Sequence, residues 1–277
     1  MSAGGCWDDV GAAWASRQPH ALWREYTDRL QCGLLDRWVA APGWRAGNPQ
    51  PVALKTDLFD EVAGQGVVHH LVATGFRVTG VDISPVVVRA AGERNPGITT
   101  TVADVRELPF ADESFDLIFS GSTLDHFDTA DDIGRAVREL ARVLRPAGVL
   151  VLTLDNPWNP LVWLRNGPLL RVVRGLGIVP YPVGVTLGPD ALTQVVRGSG
   201  LEVQRVSAIL HCPRVIAVWA GDLLRGSRAA TRARFLDTLA RWERLDRWPS
   251  RWMTAYFTAI LAAKPDAADV PPKSSRA

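Results

Sequence analysis

An α/β fold built around a mostly parallel sheet is what this chain predicts, and three observations carry the prediction. Through residues 51–155, short apolar runs alternate with segments of helical pattern, the order that strand–helix–strand units produce. The runs end on acids or small polar residues: the second at Asp82, the third at Asp104, the fourth at Ser120. Helix punctuation falls between them. Ser84-Pro85 opens one helix and Asn95-Pro96-Gly97 closes it, because a serine hydroxyl caps free N–H groups and proline's fixed φ suits the first turn.

Taken in order, residues 1–50 precede the sheet. From Asp8 to Ala40, apolar residues recur at helical intervals (Trp14, Leu22, Trp23, Tyr26, Leu30, Leu34, Leu35 and Trp38), and Pro19 divides a short helix from a longer one. Residues 41–51 form a turn-rich linker. Val52, Ala53 and Leu54 make a short buried strand. An acidic, glycine-containing loop follows, with Asp57, Asp60, Glu61, Gly64 and Gly66, then a helix over about 67–74 that Gly75 ends. The second strand, 76–83, reaches Asp82 and Ile83. A carboxylate there offers two oxygens to an adjacent pair of ribose hydroxyls, which makes 51–83 half of a Rossmann-like mononucleotide unit. A dinucleotide fingerprint fits poorly, since His69 stands where the third glycine belongs.

The third strand, about 98–103, enters Asp104 and Val105. The fourth, Leu117 to Phe119, runs into Ser120-Gly121-Ser122-Thr123, then Asp125 and His126. Ligands of open α/β sheets bind at such carboxyl ends. A helix over 129–145 has an acidic start and a basic end that suit its dipole. A turn at 145–148 leads to the fifth strand, 149–154, and Asp155-Asn156. Residues 156–188 are apolar, aromatic (Trp158, Trp163, Tyr181) and interrupted by prolines. A segment of that length leaving the ligand edge is expected to be a substrate cap, with a dimer interface or a membrane-surface patch as the competing readings. A helix over 190–200, a strand over 201–211, helices over 213–246 and a final strand over 253–264 complete the core. The polar tail 266–277 is expected to be disordered.

Composition narrows the function. The 277 residues carry a net charge of +2 with no dense basic run, which argues against a nucleic-acid partner. Cys6, Cys32 and Cys212 are far apart, so neither a zinc site nor a disulfide framework is suggested. No apolar run reaches the length of a membrane span. A cytoplasmic, reducing compartment is expected.

The segments GVDIS (80–84), VADVRELPF (102–110), FDLIFSGSTLDHF (115–127) and ELARVLRPAGVLVLTLDN (139–156), in this order, resemble class I S-adenosylmethionine-dependent methyltransferases of the type 11 kind. The resemblance covers about residues 50–155. It implies a Rossmann-like seven-stranded mixed sheet, an N-terminal helical lid (1–50), a cofactor-binding core (51–155), a cap insert (156–188) and a C-terminal part of the core with added helices (189–265). Carried over by motif, Asp82 and Ile83 would hold the ribose of S-adenosylmethionine, Asp104 and the Val105 amide the adenine, and Asp57 or Asp60 with Gly64, Gly66 and Ser120 the remainder.

The first motif departs from the family's D-x-G-x-G-x-G. With Asp57 as the acid, Phe59, Glu61 and Ala63 fill the glycine positions; with Asp60, Val62 replaces the first glycine. Lys55, one of three lysines, sits inside the first strand and is expected to pair with Asp60 or Glu61. Methyl transfer to oxygen, nitrogen or carbon of a small hydrophobic or aromatic acceptor is the leading expectation. Proton acceptors are sought among His126, His211 and Asp155, with Lys55 a further candidate for acid–base work. The alternatives are a protein of this fold that has lost methyl transfer and catalyses another reaction, or a non-catalytic partner subunit. A homodimer is compatible with all of them.

Overall fold

The computed structural model describes residues 7–8, 11–13, 19–39, 50–167 and 184–266. Trp14, residues 168–183 of the expected cap (Tyr181 among them) and the tail from 267 lie outside the described residues. The sheet has seven strands: β1 (Val52–Thr56), β2 (Arg77–Asp82), β3 (Thr99–Val102), β4 (Phe115–Gly121), β5 (Leu144–Asp155), β6 (Glu202–Ile209) and β7 (Phe257–Ala263), in spatial order β3-β2-β1-β4-β5-β7-β6. The first five are parallel, and β7 runs antiparallel between β5 and β6. The order reverses between β1 and β4, so their carboxyl ends open a crevice.

Ten helices among the described residues cover the sheet: α1 (Ala21–Val39), α2 (Phe59–Ala63), α3 (Val68–Ala73), α4 (Pro85–Arg94), α5 (Ala130–Val143), α6 (Pro160–Asn166), α7 (Pro189–Gly198), α8 (Arg214–Leu224), α9 (Ala229–Arg241) and α10 (Arg251–Thr254). Alternate residues of the central strands feed opposite layers. Leu54, Ile118, Leu150 and Leu152 pack with Ile133, Val137 and Leu140 of α5, whereas Ala53, Leu117, Phe119 and Val151 pack with Leu34 and Leu35 of α1 and with α2 to α4. Each such fully buried aliphatic or aromatic side chain contributes about 1.5–3 kcal/mol. A third apolar cluster joins α1 to α6, α8 and α9 through Leu22, Trp23, Val162, Ala217 and Leu236.

The local signals hold where they are local. Ser84 Oγ accepts the Val87 N–H at 3.2 Å with Pro85 at the first helical position. Gly75 takes φ +93° after α3, a conformation that costs other residues strain. Three expectations are corrected. The loop 57–66 contains helix α2, closed by the Gly64 N–H donating to Asp60 O at 2.8 Å. Residues 145–148 are not a free turn: Ala147 N donates to Lys264 O and Lys264 N to Gly148 O, both at 2.9 Å, so the strand pairing with β7 extends into them. Met253 belongs to α10, and the last strand starts at Phe257, because Ala255 N is already held by Arg251 O at 2.9 Å. No helix among the described residues is long and apolar enough to cross a membrane.

Candidate active site

Two adjoining compartments open at the carboxyl edge. The first lies over β1, β2 and the segment after β3, with a cavity volume of about 150 Å³. Its apolar walls are Val81, Ile83, Val87, Ala103, Val105 and Phe127, and Asp82 and Asp104 stand among them. Asp82 is fixed by its neighbours: Oδ1 accepts the Ser84 N–H and Oδ2 the Leu58 N–H, each at 2.9 Å. Burial lifts its carboxyl above the usual range, and those two donors offset the rise only in part. Asp104 differs. Burial works to raise its pKa, but Arg106, whose Nη2 donates to Oδ2 at 2.6 Å and whose Nε lies at 3.0 Å from Oδ1, holds it below the ordinary value. An apolar slot flanked by two carboxylates fits a nucleoside: the ring is desolvated by the walls, and hydroxyl or amino donors meet the acids.

The strand end beside it gathers buried titratable groups. Lys55 is 1% exposed. Its Nζ donates to Thr56 O at 2.8 Å and to Asp57 O, and lies 3.7 Å from Glu61 Oε2. Of the two expected partners, Glu61 is the one used; Asp60 pairs with Arg24 of α1. Burial disfavours the ammonium, yet Glu61 and Asp57 outweigh it and hold the Lys55 pKa above its ordinary value. Asp57 takes φ +63°, in the left-handed region that favours glycine. Its carboxyl is pushed up to about 7 by burial and by Asp82.

The second compartment, about 130 Å³, lies on the other side of Trp7, Asp57, Phe59 and His126, which line both. Trp23, Leu210 and Phe257 give it apolar surface, and Arg24, Arg165 and Arg214 line it together with Asp60, Asp125 and Asp155. Asp155 is ion-paired with Arg165, and burial together with the Asp125 charge lifts its carboxyl to about 6. Asp125 is anchored by the Ser122 hydroxyl at 2.7 Å, while its buried Oδ1 has no hydrogen-bond partner. His126 Nε2 lies 3.8 Å from that oxygen, beyond hydrogen-bond length, and the ring meets Trp7 edge-on at 4.6 Å between centroids.

The sequence-derived candidates therefore separate. Asp57, Asp60, Asp82, Ile83, Asp104, Val105, His126 and Asp155 line the two compartments. Ser120 does not: it is fully buried, and its Oγ accepts the Thr56 hydroxyl at 2.8 Å. His211 is buried with both ring nitrogens engaged, Nδ1 with Thr254 Oγ1 at 2.8 Å and Nε2 with Ala208 O at 3.0 Å. The Lys55 ammonium points at carbonyls and Glu61, not into either space. Gly64 and Gly66 line neither compartment. The Gln65 and Gly66 N–H groups donate to Asp28 Oδ2 of α1 at 3.0 and 3.2 Å, so a protein carboxylate occupies the glycine turn. Burial and the Asp60 charge raise Asp28 to about 7. Sequence reasoning missed Arg24, Asp28 and Gln31; the only signal was their i, i+4, i+7 spacing on one helix face. On the N-terminal side, His20 pairs with Asp222 at 2.7 Å and Tyr26 donates to Glu243 Oε1 at 2.7 Å; neither lines a compartment.

A methyltransferase domain model matches residues 52–152, the stretch that carries β1 to β4, most of β5, and Asp82 and Asp104. The 27-O-demethylrifamycin SV methyltransferase of Amycolatopsis mediterranei is 27% identical over 277 residues, covering 94% of each chain. A probable S-adenosylmethionine-dependent methyltransferase of Mycobacterium tuberculosis is 28% identical over 201 residues, 67% of this chain and 70% of that one. Among solved structures, the [4+2]-cyclase SpnF superposes with a TM-score of 0.54 at 17% identity over 86% of this chain and 81% of that one, a likeness of fold alone. The matched domain, the methyltransferase relatives and a nucleoside slot at the sheet's switch point converge: residues 52–152 form a methyltransferase domain, and the chain is similar to S-adenosylmethionine-dependent methyltransferases.

Proposed function

We propose that this enzyme methylates a hydroxyl group of a small, largely apolar acceptor, with His126 as the proton acceptor. One observation carries the proposal: His126 stands in the wall common to the nucleoside compartment and the acceptor compartment. A group there meets a nucleophile entering from one side and the donor from the other. When bound, S-adenosylmethionine supplies an already activated methyl group. The protein's own contribution is to hold, orient and dehydrate. Asp82 and Asp104 would receive the ribose and adenine. Trp7, Trp23, Phe59, Leu210 and Phe257 exclude water from the acceptor side, and alignment of this kind supplies about 7–11 kcal/mol in favourable cases.

The proton needs a destination because a neutral hydroxyl loses one as it is methylated. Asp125 Oδ1 lies 3.8 Å from His126 Nε2, so a carboxylate stands beside the ring that takes the acceptor proton. The relative that acts on 27-O-demethylrifamycin SV supports an oxygen acceptor. The acceptor compartment is less apolar than the sequence implied. Arg165 and Arg214 lie at 5.8 and 5.0 Å from the Tyr256 ring, so an acceptor with a polar rim around an aromatic or aliphatic body suits it best.

The test is His126→Asn. The expected result is a loss of about 10²–10⁴ in kcat on hydroxylated acceptors with cofactor affinity unchanged within twofold. Unchanged kcat, or label from the methyl group appearing on amines and not on phenols, naphthols or macrolactam hydroxyls, would rule the reading out.

A further inference from the structure

The glycine turn that a methyltransferase of this class is expected to use for the cofactor's amino-acid end is already filled. The Gln65 and Gly66 amides are taken by Asp28. A Cβ on Gly66 would lie 2.4 Å from Glu61 Oε1, so side chains crowd this turn as well. Neither Gly64 nor Gly66 lines the cleft. Yet the cleft continues past Asp57 from the nucleoside side, and what it meets there is one face of α1. Arg24, Thr27 and Gln31 line the second compartment together with Asp57, Phe59 and Asp60.

That face has the chemistry of an amino-acid receptor. Arg24 already binds a carboxylate there, that of Asp60, and its guanidinium lies 5.3 Å from the Phe59 ring centroid. The guanidinium fork accepts carboxylates in paired geometry. Gln31 Oε1 is buried with no hydrogen-bond partner, and a buried acceptor without a donor calls for one. An α-ammonium supplies it. The Asp57 carboxyl, shared by both compartments, adds a negative charge at the passage between them.

We propose that the amino-acid end of S-adenosylmethionine is received by helix α1, its carboxylate by Arg24 and its ammonium by Gln31, in place of the glycine turn that Asp28 has closed. The proposal rests on the cofactor assignment and is independent of which acceptor is methylated or whether His126 takes the proton. It gives the N-terminal helix a direct binding role, and it accounts for a first motif that has lost glycines without losing the cofactor.

Calorimetric titration with two probes tests it. S-adenosylhomocysteine carries the amino-acid end; 5′-methylthioadenosine keeps the nucleoside and a thioether but lacks that end. The full-length protein is expected to bind the first at least tenfold more tightly than the second. Arg24→Met and Gln31→Leu should each weaken S-adenosylhomocysteine at least fivefold and leave 5′-methylthioadenosine unchanged within twofold. The unchanged nucleoside probe then certifies that the variants are folded. Three results overturn the proposal: equal affinity of the wild-type protein for both probes, unchanged S-adenosylhomocysteine binding in both variants, or parallel loss of both probes, which would place the residues' effect on the nucleoside compartment or the fold.

Discussion

The two halves of the cofactor cleft are built on opposite principles. On the nucleoside side, carboxylates are held largely by backbone amides: Asp82 by those of Ser84 and Leu58, Asp104 by the Arg106 amide and side chain. On the other side the first loop is held by side-chain charges: Lys55 reaches Glu61 within the loop, and from α1 Arg24 meets Asp60 and Asp28 meets the glycine turn. The lesson is that a loop can lose its glycines and keep its path if buried ion pairs take over the work of backbone freedom. Such pairs cost desolvation and depend on every partner being present.

The sharpest way to break this contrast is Lys55→Met. It strands Glu61, which is 1% exposed, and removes the donor shared by the Thr56 and Asp57 carbonyls. A loss of about 3–5 kcal/mol in unfolding free energy is expected by urea denaturation; a loss under 1 kcal/mol would mean the loop does not rely on the pair. Asp82→Ala should act on the other half. It should weaken S-adenosylhomocysteine at least tenfold, about 1.4 kcal/mol, and unchanged affinity would remove Asp82 from the ribose.

Acidity separates the halves more gently. Asp57 titrates at about 7 in the fold because of burial and the Asp82 charge, against roughly 3.9 for an unperturbed aspartate. The folded protein thus keeps a proton that the unfolded chain has released. Its contribution to stability is fully present below about pH 4 and is lost as pH rises to about 7. Above about pH 7 the ionised carboxylate favours a sulfonium. The ratio of S-adenosylmethionine to S-adenosylhomocysteine affinity should therefore rise roughly five- to tenfold from about pH 6 to 8, and a flat ratio by calorimetry would place Asp57 away from the sulfur. The smallest effect belongs to the exposed outer face of α1: Glu25→Ala breaks the Glu25–Arg29 pair (2.6 Å) and should change stability by less than about 0.5 kcal/mol.

What the sequence disclosed follows the same division. Apolar runs, the Ser84-Pro85 start and the acids at strand ends are determined within a few residues, so the succession of strands and the acids at their carboxyl ends could be read directly. The lysine in a strand was a visible anomaly, and its acidic partner was within reach of inspection. The left-handed Asp57 and the helix inside the loop carried no local signal, and the Asp28 carboxylate in the glycine turn was not legible because it depends on α1 packing some thirty residues away. His211 misled for the converse reason: a histidine at a strand end looks catalytic until Thr254 and the Ala208 carbonyl, brought together by the β6–β7 pairing, claim both nitrogens.

The central claim is that a first loop stabilised by ion pairs still delivers the cofactor to this edge of the sheet. Titration calorimetry of S-adenosylmethionine into the full-length protein, freed of co-purifying ligand, tests it most directly. Saturable one-to-one binding in the micromolar range is the predicted result. Absence of heat at millimolar cofactor would contradict it, and would mean that the charges around Lys55 closed the site instead of rebuilding it.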